Sequence, residues 1–475
     1  MLDSQTLIAA GRQLETPFEV QVKLLGEAQS AQCTQLLRLV PGRRVVVKMQ
    51  LGSSTYLAKI FLGSERHKYC RREQSGIMAL QGAGVSTAKL VGHGCLVDDG
   101  AEVLLLDYLP QAQQLSALLT SRKSDTDNQL RAAVEMMAAL HERGLRHKDC
   151  HLDNFLVSDQ RLYLIDGDAV EQTSSLSQAL ALQNLALFFV QLPLLLTPRI
   201  TEFLEQYCAQ RGWPHNDCLP LLQGALKSQR DSRQRRFLKK VFRDCTAFNV
   251  IKSSARFVVR DRQEDCPELQ ALIANPDHYI ATAKLLKDGR SATVAKVCLG
   301  EKSYVVKRYN IKSVVHWMTR FWRPSRAWIS WRNAQFLCFY DINTPKPLAM
   351  IEQRFGALRG KAYFITEHVA ADDALGFAEK FKTDLPALTN MAYQFAELFD
   401  VMKQLRFSHG DFKATNFLLD DGVLRVIDLD SMALHSTQQS HDTAFAKDQQ
   451  RFMKNWCADE QLKMVMAKAL QDNSG

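Results

Sequence analysis

The chain has 475 residues, more than one hydrophobic core usually serves, so two domains are expected. Its 46% hydrophobic and 23% charged residues exclude a disordered or fibrous protein. The 11 cysteines include no CxxC pair, which argues against a zinc site and a disulfide framework and favours reduced thiols in the cytosol. The N-terminal residues show no signal-peptide pattern. The net charge of +9 is a weak indication of an anionic partner.

The N-terminal half begins with predicted strands. Leu36 to Val47 and Thr55 to Phe61 read as strands, and a helix-like segment from His67 to Gln81 follows them. Lys59 lies in the second strand and Glu73 in the helix. In kinases, a strand lysine paired with a helix carboxylate holds the α- and β-phosphates of ATP. We therefore expect Lys59 and Glu73 to be ATP-binding residues, the alternative for Lys59 being an ordinary exposed strand lysine.

A polar loop from His147 to Asn154 follows a predicted helix at Leu130 to Leu140, and an Ile-Asp-Gly-Asp sequence comes after a short hairpin. Phosphoryl transfer needs a carboxylate that accepts the proton of the attacking hydroxyl, and an amide and a second carboxylate that hold Mg²⁺. The loop therefore predicts Asp149 as the catalytic base, with Asn154 and Asp166 as the metal ligands.

Two further segments of this half raise the question of a membrane. Gln172 to Pro198 carries no charge, but polar residues interrupt it and its apolar core is shorter than the roughly 18 residues of a membrane span. We expect a buried helix there. Lys227 to Arg243 is a basic helical run. Either it is a solvated helix face or it contacts an anionic surface.

The second half repeats the same order of elements. The charged segment from Cys245 to Asp265 is interpreted as the junction, which divides the chain into domains at residues 1–245 and 246–475. A strand from Tyr304 to Tyr309 then supplies Lys307 as the second ATP-binding lysine.

The helix carboxylate that should pair with Lys307 is missing from the sequence. The position that corresponds to Glu73 is Ser330, and no acid occurs between Glu301 and Asp341. Either another group orients this lysine, or this copy of the site is impaired.

The interval from His316 to Arg332 holds four of the six tryptophans, interleaved with arginines. This composition is typical of a lipid headgroup boundary. The alternative is a helix that packs its indoles on its own domain. No recognised nucleic-acid module accompanies the segment, so no nucleic-acid partner is expected.

The polar loop occurs a second time. Asp411 precedes Asn416 by five positions and Asp428 follows that asparagine by twelve, the spacing found 262 residues earlier at Asp149. An offset of more than half the chain indicates a tandem duplication of whole domains. We expect Asp411 as the second catalytic base and Asn416 and Asp428 as metal ligands. The alternative is a plain hairpin with a solvated aspartate and a capping asparagine.

The two HxDxxxxN loops, each followed by Ile-Asp-x-Asp, resemble the kinase superfamily without its usual Asp-Phe-Gly. The residues of these loops are more similar to those of the bacterial lipopolysaccharide-core (Kdo/heptose) kinases, above all to the tandem-domain heptose kinases of the pseudomonad type. The resemblance implies an α+β fold with two tandem protein-kinase-like domains, each with a small β-rich N-lobe and a helical C-lobe.

The resemblance also implies a function: ATP-dependent phosphorylation of an inner-core lipopolysaccharide sugar, with heptose expected, and with ATP and Mg²⁺ as cofactors. It implies a cytoplasmic protein, peripheral at the inner membrane, whose partners are the lipopolysaccharide core acceptor and the anionic membrane surface. It leaves open that one of the two domains is inactive. Two alternatives stay open: an inactive membrane-associated pseudokinase scaffold, and a kinase for a protein or another small molecule, since a fold does not fix the acceptor.

Overall fold

The structure is a computed structural model that describes residues 1–120, 126–310, 323–356 and 358–472. Two compact units make up the chain, Met1–Asp231 and Ser232–Gly475. Both contain helices and β-sheet, which confirms the predicted α+β class. The assignment of domains at 1–245 and 246–475 stays a prediction.

The first unit begins with a closed six-stranded barrel. Its elements are α1 (Ser4–Ala10), β1 (Phe18–Leu24), β2 (Glu27–Val40), β3 (Arg44–Leu51), β4 (Ser54–Phe61), α2 (Arg66–Gly82), β5 (Leu90–Leu96) and β6 (Glu102–Asp107). The strands are joined in the order β1-β2-β3-β4-β6-β5. Alternation along β3 directs Val45, Val47 and Met49 into the barrel core and leaves Val46 on the other face. The predicted strands and the predicted helix are confirmed.

The remainder of the first unit is mainly helical. Its elements are β7 (Gln113–Gln114), α3 (Leu115–Thr120), α4 (Thr126–Glu142), β8 (Leu145–His147), β9 (Phe155–Ser158), β10 (Arg161–Leu164), β11 (Val170–Gln172), α5 (Gln178–Phe189), α6 (Ile200–Arg211) and α7 (His215–Lys240), whose last residues belong to the second unit. The antiparallel hairpin β9–β10 follows the polar loop, and β8 with β11 forms a separate two-stranded sheet.

Helix α5 confirms the predicted buried helix. Leu182, Leu185 and Phe188 are fully buried, and they share one core with Phe203 and Tyr207 of α6. Within the described part of the chain, we find no helix with the length and apolar content needed to span a membrane.

The second unit begins with an open seven-stranded sheet. Its elements are β12 (Phe248–Lys252), β13 (Arg256–Asp261), α8 (Pro267–Ala274), α9 (Pro276–Thr282), β14 (Lys284–Asp288), β15 (Ala292–Leu299), β16 (Lys302–Tyr309), α10 (Arg326–Phe339), β17 (Pro347–Phe355) and β18 (Leu358–Glu367). The order is β12-β13-β17-β18-β16-β15-β14. The segment from Cys245 to Asp265, interpreted as the junction, contains β12 and β13, which pair with each other, and β13 pairs with β17. The apolar residues of these two strands are few and are flanked by charged residues, so the sequence did not predict strands there.

The helical part of the second unit surrounds a core of aromatic rings. Its elements are β19 (Asp372–Asp373), α11 (Ala374–Lys380), α12 (Leu385–Leu405), β20 (Phe407–Ser408), β21 (Phe417–Asp420), β22 (Val423–Val426), β23 (Ala433–Leu434), α13 (Gln438–Lys454) and α14 (Glu460–Asp472). Phe399 of α12 stacks on Phe412 of the second polar loop with ring centroids 4.7 Å apart. Phe452 of α13 meets both rings edge-on. This packing holds the loop against the two longest helices of the unit's C-terminal part.

The tryptophan- and arginine-rich segment is only partly described. His316, Trp317, Arg320 and Trp322 lie outside the described residues. In the described part, Trp331 is fully buried and its Nε1 donates to the carbonyl of Val241 at 3.1 Å. Trp328 stacks on Phe242 with centroids 4.2 Å apart. These two indoles pack on their own unit. A membrane contact by the rest of the segment stays a prediction.

Candidate active site

Lys59 and Glu73 of the first unit form a buried ion pair. Lys59 on β4 donates from Nζ to Oε1 of Glu73 on α2, whose side chain is fully buried. Arg44 on β3, which the sequence analysis missed, lies 3.8 Å from the other carboxylate oxygen of Glu73. A buried carboxylate needs such partners to stay charged. The expected pairing is present, and its role with ATP stays a prediction.

Glu73 also connects α2 to the chain that follows Asp166. Its two carboxylate oxygens accept hydrogen bonds from the backbone N–H groups of Gly167 at 3.0 Å and Asp168 at 3.3 Å. Asp168 in turn pairs with Arg72 of α2 at 3.0 Å. One helix therefore fixes both the strand lysine and the loop that carries the predicted metal ligand.

The polar loop is held by its own backbone. Asn154 donates from Nδ2 to the carbonyl of Asp149 at 2.7 Å, which closes the loop between the predicted base and the predicted metal ligand. His147 is buried, and its Nε2 donates to the carbonyl of Ile165 at 3.0 Å. Burial lowers the pKa of His147, so the ring is neutral, and its hydrogen bond connects the polar loop to the backbone before Asp166. Asn184 of α5 bonds both backbone groups of His147, at 3.2 and 2.8 Å.

Asp166 adopts an uncommon backbone conformation. Its φ of 73° and ψ of 67° lie in the left-handed region, which non-glycine residues rarely occupy. The conformation turns the side chain into the cavity. Its Oδ1 is buried without a hydrogen-bond partner and lies 3.6 Å from a guanidinium nitrogen of Arg44. A buried carboxylate oxygen in this state is suited to bind a cation.

The five predicted site residues of the first unit line a single cavity of about 860 Å³. They are Lys59, Glu73, Asp149, Asn154 and Asp166. The same cavity has an apolar wall formed by Val46, Leu57, Leu106 and Leu156. The cavity thus offers apolar side chains for a ring system, and an ammonium, an amide and carboxylates for phosphates and a cation.

Lys307 of the second unit has a carboxylate partner from an unexpected place. It donates from Nζ to Asp428 itself, and to Asp430 at 3.1 Å. Arg326 of α10 contacts the same oxygen of Asp430 at 2.7 Å. Ser330, the position that corresponds to Glu73, bonds the hydroxyl of Tyr309 at 2.7 Å instead.

The pairing shifts the pKa of both partners in the direction that favours their charged forms. Burial alone would lower the pKa of Lys307, but Tyr309, Asp430 and Asp428 raise it well above its usual range. Burial alone would raise the pKa of Asp428, but Lys307 holds it below its usual range. The positive charge of Lys307 is therefore balanced by Asp428, the carboxylate that was predicted to bind metal.

The second polar loop repeats the backbone contacts of the first. Asn416 donates to the carbonyl of Asp411 at 2.8 Å, and His409 Nε2 donates to the carbonyl of Ile427 at 2.9 Å. Asp448 of α13 accepts from the N–H groups of His409 at 2.6 Å and Gly410 at 3.0 Å. This acid stands where the first unit uses Asn184.

The carboxylate of Asp411 is engaged by cations. Arg451 of α13 contacts it at 2.7 Å and Lys413 at 3.2 Å. Among the described residues of the first unit, Asp149 has no corresponding ion pair. Arg451 was not singled out in the sequence, and Asp430, the second aspartate of the Ile-Asp-x-Asp sequence, was given no role there.

Residues 54–192 match a family model described as the lipopolysaccharide kinase (Kdo/WaaP) family. The matched segment contains Lys59, Glu73, Asp149, Asn154 and Asp166. The predicted resemblance is confirmed over this segment. A search of curated protein sequences gave no significant match to the chain.

Proposed function

We propose, from the premise that residues 54–192 form a lipopolysaccharide kinase (Kdo/WaaP) domain, that the first unit transfers phosphate from ATP to a sugar of the lipopolysaccharide inner core. Family membership supports a phosphotransferase. The finer assignment is a heptose hydroxyl as the acceptor, reached at the cytoplasmic face of the inner membrane. The observation that carries the proposal is that all five predicted residues of this unit line one cavity.

Each of these residues has a role that its position supports. Lys59, held by Glu73, places an ammonium against the α- and β-phosphates. Asp149 lies at the cavity wall and accepts the proton of the attacking hydroxyl. Asn154 and Asp166 hold the divalent cation. Mg²⁺, when bound, neutralises the charge on the β- and γ-phosphates.

The donor set fits ATP and Mg²⁺. Magnesium prefers oxygen ligands and is usually bound by one or two carboxylates together with the substrate phosphates. Asp166 supplies a buried oxygen without a hydrogen-bond partner, and Asn154 supplies an amide oxygen, since its Nδ2 is already used by the carbonyl of Asp149. The apolar wall of the cavity suits the faces of a nucleobase.

We also propose that the second unit is a second kinase-like domain and does not transfer phosphate. Lys307 is bound to Asp428, so the phosphate-binding cation and the metal-binding anion neutralise each other. Asp411, the predicted base, is paired with Arg451. A general base that is bound to a guanidinium has a weakened pull on a hydroxyl proton.

Mass spectrometry of the acceptor tests the proposed reaction. Wild-type protein with ATP and Mg²⁺ should add one phosphate to dephosphorylated core lipopolysaccharide and none to core that lacks heptose. Addition to the heptose-free core would contradict heptose as the acceptor. Transfer only to a protein or to a small molecule would favour the alternative of a kinase with such an acceptor.

Asp159 provides a matched control for this assay. It lies at the tip of the β9–β10 hairpin with a φ of 48°, a conformation that asparagine also tolerates. Asp159→Asn should therefore retain full transfer. If wild-type protein shows neither transfer nor thermal stabilisation by ATP with Mg²⁺, the chain is a scaffold, because a specific ligand must stabilise the fold that binds it.

A further inference from the structure

A cluster of metal-ligand side chains lies in the first unit, one helical turn before Glu73 on α2. Cys70 of α2, His93 of β5 and Glu102 of β6 bring one ligand atom each to within 4.8 Å of one another. Cys70 Sγ is 3.6 Å from His93 Nε2, which is 2.5 Å from Oε2 of Glu102. His67, one turn before Cys70 on α2, reaches the other oxygen of the same carboxylate at 2.8 Å.

The geometry does not suit a nucleophilic cysteine. In a Cys-His-acid relay the thiol and the acid bind the two different nitrogens of the imidazole. Here both face the same nitrogen, Nε2 of His93. Convergence of sulfur, nitrogen and oxygen on one point is what a metal ion requires.

We propose that Cys70, His93 and Glu102 bind a zinc-class divalent metal ion. Bond lengths of about 2.3 Å to sulfur and about 2.1 Å to nitrogen at a tetrahedral angle place the two atoms about 3.6 Å apart. This is the distance between Cys70 Sγ and His93 Nε2. The contact between His93 and Glu102 has a hydrogen-bond distance, and entry of the ion would open it to about 3.3 Å.

The surroundings of the cluster favour tight binding. Cys70 is 2% exposed and packs against Phe61 and Leu104, which form an apolar floor, whereas His93 is partly exposed and gives the ion a way in. Thiolate and imidazole ligands together select zinc over magnesium. The three residues come from one helix and two strands, so their spacing shows no zinc motif. The expectation of no zinc site rested on the lack of a CxxC pair alone.

A metal ion at this point would join α2 to β5 and β6. Glu73 lies one helical turn beyond Cys70 on α2. The ion would therefore fix the helix that orients Lys59 and bonds the backbone after Asp166. The role is structural, and it is independent of which acceptor the first unit uses.

Titration of the full-length, metal-stripped and reduced protein with Co²⁺ tests the site. We expect one equivalent to produce a thiolate-to-cobalt charge-transfer band and the intense d–d bands of tetrahedral cobalt, and Zn²⁺ to displace it. Cys70→Ser and His93→Gln should each weaken binding about a hundredfold or more. Cys70→Ser should also abolish the charge-transfer band, and His93→Gln should abolish the tetrahedral d–d bands. Zn²⁺ should raise the melting temperature of the wild type and leave that of Cys70→Ser and His93→Gln unchanged.

Cys95→Ser is the matched control. Cys95 is on β5, two residues from His93 and opposite Glu102, and its thiol donates to Asp99 at 3.2 Å and is not one of the three converging ligands. This variant should bind like the wild type. Cobalt spectra that are unchanged in Cys70→Ser and His93→Gln, or the lack of a tetrahedral spectrum in the wild type, would overturn the proposal. Should Cys70→Ser fail to fold by circular dichroism, Glu102→Gln and His93→Gln decide the outcome.

Discussion

Gly76 and Gly167 are in direct backbone contact. A Cβ atom on Gly76 of α2 would stand 1.9 Å from the carbonyl oxygen of Gly167, and one on Gly167 would stand 2.4 Å from the carbonyl oxygen of Glu73. Only two glycines allow α2 to approach the turn after Asp166 closely enough for Glu73 to accept from its N–H groups.

This contact predicts that Gly76→Ala destabilises the first unit. The new methyl group must displace backbone, which costs about 1–3 kcal/mol, and it should also raise the KM for ATP because α2 shifts. The control is Gly82→Ala on the same helix, where nothing lies within 4 Å of the new atom. That change should be neutral or stabilising by up to about 1 kcal/mol. Urea denaturation of both variants measures the difference, and equal effects would refute the contact.

The two strand lysines should differ in importance. Lys59→Met should lower kcat/KM for phosphate transfer by about a hundredfold or more, since it removes a preorganised cation from the phosphate site. Lys307→Met should change it by less than about twofold, because that lysine is bound to Asp428 in a unit that does not transfer phosphate. Initial rates of the two folded variants test this. A comparable loss in both would show that the second unit takes part in transfer.

Asp166→Asn should abolish the stabilisation of the protein by ATP with Mg²⁺. Asparagine tolerates the left-handed conformation, so the fold should survive while the metal-binding charge is lost. At a hundredfold excess over Kd, the wild type should gain about 2.7 kcal/mol from the ligand. Thermal-shift titration compares this variant with Asp159→Asn at the hairpin tip. An undiminished shift in Asp166→Asn would remove Asp166 from the metal site.

His141 makes the stability of the first unit depend on pH. It is buried against Tyr207 and Asn184, at 2.7 and 3.0 Å, and burial lowers its pKa to about 4. The unfolded chain therefore binds a proton between about pH 6.5 and 4 that the folded chain does not. Stability should fall as the pH falls through this window, by roughly 3 kcal/mol in all, and should be unaffected by this group above pH 6.5.

Chemical denaturation at a series of pH values checks this dependence. His141→Gln keeps a hydrogen-bonding amide without a titrating ring, so its profile should be flatter than that of the wild type between pH 6.5 and 4. His278→Gln replaces an exposed ring in the second unit and should leave the profile unchanged. A wild-type slope in His141→Gln would show that another group dominates the acid response.

Local patterns carried most of the sequence predictions. Helix α2, the strands on either side of Pro41 and the two hairpins after the polar loops were predictable, because periodicity and turn residues act over a few positions. The pairing of Lys59 with Glu73 was predictable because the strand and the helix that carry them are consecutive in the chain. The edge strand β12 and its neighbour β13 were missed, since the pairing of β13 with β17 depends on a segment about 90 residues later in the chain.

Interactions between distant residues were not predictable in this way. The carboxylate that orients Lys307 was sought on the helix after its strand, whereas Asp430 approaches from 123 positions away. Arg451 reaches Asp411 from α13, and the ligand cluster around Cys70 joins one helix to two strands. Such contacts depend on tertiary packing, and a single sequence carries no local signal for them.

Phosphate transfer to dephosphorylated core lipopolysaccharide by Asp149→Asn and Asp411→Asn, measured side by side with labelled ATP, tests the central claim most directly. Asp149→Asn should lose about a hundredfold or more in rate, while Asp411→Asn should stay within about twofold of the wild type. Full activity in Asp149→Asn, or loss confined to Asp411→Asn, would contradict the assignment of catalysis to the first unit.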